Sequence, residues 1–214
     1  MGFLSIQFRT RLWQITLASI IVILVWLVQT DLLTRFSLKG LLCNLPLTFT
    51  ILWGAVFGSR LRGLSTEEIR ALSVGEIAIY QALAGSRSGL CIGLFFAALY
   101  NSALPIFPIC YPLIGWIAGY FNLKNVSQPA FLSIPLVLLA SILAEFISGC
   151  QIFIWQSLNH ISAGQDALAT QILSRFAQIA MPEAILNALI APIIVIPMRT
   201  WYEFWTSREV SVPE

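Results

Sequence analysis

Charge is what this chain has least of. Twelve Lys and Arg and ten Asp and Glu are spread over 214 residues, so 10% of positions are charged and 58% are hydrophobic. A soluble domain carries about 25% charged residues, and 22 charges do not cover a globule of this size. That excludes an ordinary soluble enzyme and a disordered chain, and the net charge of +2 is too small for a phosphate-binding surface, which excludes a nucleic-acid binder. Histidine is nearly absent. His160 stands alone, so no ligand cluster or proton relay can be built on histidines. The four cysteines, Cys43, Cys91, Cys110 and Cys150, lie in apolar stretches without metal-ligand spacing and read as small buried hydrophobes. Neither a metal nor a cofactor is implied.

What is present is long apolar sequence, with a mean hydropathy of +0.84. A helix crosses the hydrocarbon with about 20 mostly apolar residues. Leu12 to Thr30 and Gly40 to Ser59 are free of charge, as is Ser88 to Leu123, which Pro105, Pro108 and Pro112 divide. From Asn125 to Gln165 only Glu145 is charged, and Ala184 to Met198 is uncharged again. Proline ends one helix and restrains the residue before it, so the long central stretch is two helices. The expected fold is all-α, a polytopic membrane bundle of about six transmembrane helices over 12–30, 40–59, 87–104, 106–121, 130–155 and 182–200. A polar tail follows at 207–214. Barrel strands would alternate apolar and polar residues, and Ile20-Ile21-Val22-Ile23-Leu24-Val25 does not.

With six spans, nine basic residues fall on one side (Arg9, Arg11, Arg60, Arg62, Arg70, Arg87, Lys124, Arg199, Arg208) and three on the other (Arg35, Lys39, Arg175). The positive-inside rule then places both termini in the cytoplasm. Arg60, Arg62 and Arg199 form a basic inner edge suited to anionic lipid. Ser65-Thr66-Glu67-Glu68 has the form of a capping box, and the apolar spacing from 65 to 84 predicts an amphipathic helix in the inner interface, with an extra short span as the alternative. A second amphipathic stretch runs from 165 to 180, before Pro182 at a favoured helix-start position.

Gly85, Gly89 and Gly93 recur every four residues, as do Gly115 and Gly119. Small residues at this spacing let helices approach closely in lipid, within one chain or across a homodimer seam. Glu145 is the one carboxylate deep in a span, costly there unless paired or protonated. It is a polar contact inside the bundle, a substrate-contacting group, or a neutral acid bonded to a neighbour. Gly85-Ser86-Arg87-Ser88-Gly89 faintly resembles the serine motif of rhomboid proteases, but its base would have to be His160 on the opposite side, out of hydrogen-bond reach. No catalytic residue is expected and the chain is read as non-enzymatic.

Pro182-Glu183-Ala184-Ile185-Leu186-Asn187-Ala188-Leu189-Ile190-Ala191-Pro192, followed by Met198-Arg199, resembles the last helix of the rod shape-determining MreD family, and Gly85-x-x-x-Gly89-x-x-x-Gly93-Leu94 is similar to that family's glycine-rich helix. The sequence departs from the family at Phe95-Phe96-Ala97-Ala98, where an aspartate is common, and at the Pro105-Ile106-Phe107-Pro108 turn. The resemblance implies a multi-pass protein of the bacterial inner membrane. It would be a scaffold of the cell-elongation and peptidoglycan-synthesis machinery that docks a membrane-anchored MreC-like protein, with Asn187, Pro192 and the glycine stripes as docking and packing residues. The rival class is the six-span substrate-binding subunit of energy-coupling-factor vitamin transporters. In that case Glu145, Asn187 and Trp155 would line a small-molecule pocket, and several convergent polar groups at the outer end would distinguish it.

Overall fold

The computed structural model describes residues 16–32, 42–58, 86–101, 107–121, 127–158 and 176–210, with 123 and 174 as isolated positions. The proposed surface helix at 65–84 lies outside the described residues, as do Gly85, Arg60, Arg62 and His160. The described chain is all-helical, with six helices and no strand. They are α1 (Thr16–Asp31), α2 (Leu45–Val56), α3 (Arg87–Asn101), α4 (Cys110–Ala118, extended by the 3-10 turn Gly119–Phe121), α5 (Pro129–Leu158) and α6 (Met181–Val210). A π turn at Phe176–Ala180 runs directly into α6, so the end of the 165–180 stretch joins the last helix.

Two helices are long and apolar enough to cross a membrane, Pro129–Trp155 and Phe176–Phe204. The central α2 has 12 residues, about 18 Å at 1.5 Å per residue. It is the hub of the bundle. Every residue from Pro46 to Val56 is buried, and α3, α4, α5 and α6 all pack on it.

Contacts along the helices fix their directions. Asn187 meets Asn44 at the start of α2, while Trp201 meets Trp53 near its end, so α6 runs parallel to α2. Gly115 packs on Gly54 and Gly119 on Gly58, so α4 does too. Gly93 lies on Tyr111 and Pro112, and Ser86 on Gly119, which makes α3 antiparallel to both. Gln151 reaches Phe107 and Ile109 before α4, and Ser148 lies at Cys110, so α5 is antiparallel to α4. Gln29, late in α1, touches Leu45. Direction therefore alternates from α1 to α6. The start of α1 and the end of α6 share the end of the bundle that carries Trp53 and Trp201.

The core is mostly apolar, but the outer surface is apolar as well. Thr48, Thr50, Ser86, Ser133, Ser141 and Asn187 are buried, whereas Phe131, Leu139, Phe146, Leu189 and Ile193 are among the exposed large hydrophobics.

Candidate functional site

The first turn of α2 lies inside the bundle, where its orphan N–H groups have to be satisfied by side chains. The accounting closes. Asn44 Nα–H donates to Asn187 Oδ1 at 2.7 Å, Leu45 N–H to Gln29 Oε1 at 2.9 Å, and Leu47 N–H to the side chain of Asn44 at 3.1 Å. Pro46 has no N–H to satisfy, and Thr48 N–H reaches Asn44 O at 3.0 Å as the first regular helical bond. The amide of Asn187 is used at both ends, because its Nδ2 donates to Ser141 Oγ of α5 at 3.2 Å. The Tyr111 hydroxyl of α4 lies beside the Asn44 amide, 3.1 Å from Nδ2 and 3.2 Å from Oδ1, and its ring stacks on Tyr100 of α3 at 5.5 Å. Glu183, in the first turn of α6, is within Coulombic reach of Cys43, Tyr100 and Tyr111. Side chains from all five described helices around α2 thus converge on its start.

The start of α4 is treated the same way. Gln151 of α5 donates from Nε2 to Phe107 O and accepts from Ile109 N–H at 3.4 Å. Gln151 thus holds the approach to α4 as Asn187 and Gln29 hold the start of α2.

At the opposite half, α2, α3 and α4 touch through their backbones. A Cβ on Gly115 would meet Gly89 O and, at 2.7 Å, Thr50 Cγ2; one on Gly89 would meet Gly115 O and, at 2.7 Å, Gly54 Cα; one on Gly54 would meet Gly115 O. A layer further, Gly58 sits on Gly119 and Gly119 on Ser86, and above the triple contact Gly93 sits on Tyr111 and Pro112. The Gly89, Gly93, Gly115 and Gly119 stripes therefore face one another within this chain. Gly54 and Gly58 complete them. Their four-residue spacing was readable in the sequence and is a signal the glycine pattern of α3 and α4 overshadowed.

Ser86 is spent on structure. Its hydroxyl accepts from Gly89 N–H at 2.9 Å as the cap of α3, and its own N–H donates to Trp116 O at 3.0 Å. Ser88 Oγ donates to Phe57 O at 3.2 Å. Replacing Ser86 by Ala is expected to lower stability by about 1 kcal/mol, the usual worth of an N-cap, read as a drop in melting temperature in detergent. Any serine-dependent activity lost with no change in melting would contradict this assignment.

The remaining sequence-predicted residues are dispersed. Glu145 is half-buried on α5, one helical turn beyond Ser141 and within Coulombic reach of Cys110. Trp155 lies 14 residues beyond Ser141 along α5, about 21 Å at 1.5 Å per residue, so it does not share a pocket with Asn187. Pro192 lies inside α6 beyond Asn187. Arg199 pairs with Glu203 at 2.8 Å, one turn on. Among the described residues no group of three His, Cys, Asp or Glu could hold a metal ion. Gln29, Tyr111 and Gln151 were missed by sequence reading because their partners lie on other elements, and Asn44, whose cap on Leu47 is local, because nothing in the sequence sets Asn187 beside it.

No family model, curated protein or solved structure matches the chain.

Proposed function

We propose that this protein is a multi-pass scaffold of the bacterial inner membrane. Its six helices span the bilayer with both termini in the cytoplasm, and it docks an MreC-like partner of the cell-elongation machinery. Membrane residence is supported by the apolar outer surface. In the most apolar windows of α5 and α6 only 28% and 33% of residues are buried, whereas the core helix of a soluble protein is mostly buried. The alternating helix directions agree with an N-in, C-in path, and the nine-to-three distribution of basic residues orients it.

One observation carries the scaffold reading over catalysis. Of the buried polar side chains, Ser86, Ser141 and Asn187 cap helices or tie them together, and Thr48, Thr50 and Ser133 bond carbonyls one turn back; the helix contacts are closed by glycine, and the outward faces are apolar, as suits other helices or lipid. Pull-down in mild detergent is expected to recover a bitopic partner with a periplasmic domain, and depletion to round rod-shaped cells. Recovery of an ATPase module with a coupling subunit would overturn the reading.

The second reading, a substrate-binding subunit of a vitamin transporter, is favoured by one feature. Gln29, Asn44, Tyr100, Tyr111 and Asn187 gather at the end that this topology places outside. It requires a vitamin-sized ligand to co-purify and to raise the melting temperature, and an empty, ligand-insensitive protein excludes it.

A further inference from the structure

Three prolines interrupt the pair formed by α5 and α6: Pro135 in the first, Pro192 and Pro197 in the second. A proline has no N–H, so the carbonyl four residues before it loses its helical partner. The affected carbonyls are those of Phe131, Ala188 and Ile193. Their depths can be compared, because the two helices are antiparallel and touch where Asn187 bonds Ser141. Six residues back from Ser141 is Pro135, and six on from Asn187 is Ile193; ten back is Phe131, and ten on is Pro197. The missing bond between Phe131 and Pro135 therefore lies beside the missing bond between Ile193 and Pro197.

We infer that this paired gap is a shared hinge, about which the ends of α5 and α6 nearest Trp53 and Trp201 swing together against the body formed by α2, α3 and α4. Proline interruptions are the usual cause of helix bending, and two at one depth let adjacent helices bend without sliding past each other. The gap is open on its outer side. Phe131 and Ile193, at 69% and 71% exposure, are the most exposed large hydrophobics among the described residues, and Pro135 and Pro197 are exposed as well.

The two sides of the hinge are held differently. Toward the amide caps, Asn187 pins α6 to Asn44 and Ser141, and Gln151 pins α5 to the start of α4. Beyond the hinge, α6 rests on α2 through rings: Trp201 lies edge-on to Trp53 and Phe57, and Tyr202 edge-on to Phe57. Among the described residues the buried Trp53 Nε1 has no hydrogen-bond partner, so its indole N–H does not lock this aromatic contact. The body opposite does not yield, because its helices meet backbone to backbone. The hinge is independent of which partner the protein docks.

The test places spin labels on full-length protein in nanodiscs, in a background with the four cysteines replaced. One pair, Phe121→Cys with Phe204→Cys, spans α4 and α6 beyond the hinge. The other, Ile109→Cys with Met181→Cys, spans the same helices at the capped end. Pulsed electron-paramagnetic-resonance distances are expected to be broad or two-peaked for the first pair and narrow for the second. Replacing Pro135 and Pro197 by Leu is expected to abolish the extra breadth of the first pair and leave the second unchanged. A first pair as narrow as the second in the protein with its prolines intact would overturn the hinge, and so would breadth that survives the leucine substitutions. The comparison of the two pairs needs no proline variant, so it stands even if the double substitution fails to fold.

Discussion

Alanine at Gly115 is expected to cost about 3 kcal/mol or more, the upper end of what an added methyl costs in a packed interior. The added Cβ would run into Gly89 O and the Thr50 methyl. Neither is the free end of a flexible side chain: one is helix backbone, and the Thr50 side chain is held by its hydroxyl, which donates to Pro46 O at 2.7 Å. Relief requires α3 or α2 to move away from α4 as a body, which also opens the Gly54 and Gly58 contacts. The measurement is the melting temperature in detergent with size-exclusion profiles as a check of assembly. Gly89→Ala should behave the same way, because its Cβ meets Gly54 Cα and Gly115 O. A Gly115→Ala protein that melts within a degree or two of the parent would mean the three helices are not in backbone contact.

Asn187→Leu is expected to be the next most damaging change, at about 2–4 kcal/mol. The residue is 1% exposed and serves two groups at once, the N–H of Asn44 and the hydroxyl of Ser141. Leucine leaves both without their partner, at roughly 1–3 kcal/mol for each buried group stranded, and hydrogen bonds between membrane helices often measure below about 1 kcal/mol, which keeps the expected loss in the lower part of that sum. The paired variant Asn187→Leu with Ser141→Ala separates the two contributions, since it removes one orphan and should recover part of the loss. An unchanged melting temperature for Asn187→Leu would show that Asn44 finds another acceptor and that the cap is not structural.

Much of the helical architecture was legible because hydropathy reports what a long segment is made of. The apolar runs at 130–155 and 182–200 correspond to α5 and α6, and the run before Thr30 to α1. Helix length was less legible. Among the described residues, the charge-free run 40–59 holds the 12 residues of α2 as its helix, and 106–121 holds α4 with its short 3-10 extension. Hydropathy does not register where backbone bonding begins. The local signal for α2 was there nonetheless, in Asn44 as a cap followed by Pro46 where no N–H is needed. In the other direction α6 continues past Arg199 to Val210, carried by the Arg199–Glu203 pair at helical spacing.

The candidate site was least legible, for a different reason. Asn187 drew attention as an amide inside an apolar helix, but its partner lies 143 residues away. Gln29 and Gln151 were indistinguishable from tolerated polar residues until the fold set them against backbone ends. The glycine spacing was legible as close packing, while the choice between packing within the chain and a seam between chains was not, because spacing carries no information about which helix lies opposite.

The capping of α2 has a consequence for the order of biosynthesis. Its first turn depends on Gln29, 16 residues upstream, and on Asn187, made long after α2 itself. A nascent chain that has produced α1 to α5 still lacks the acceptor for the Asn44 N–H, so the middle of the bundle stays provisional until the final helix arrives. Contacts this distant along the chain slow folding, and they make the last helix a completeness check. A product truncated within α6 before Asn187 would leave α2 with an open end, and such a fragment should be marked for proteolysis by its unfinished centre.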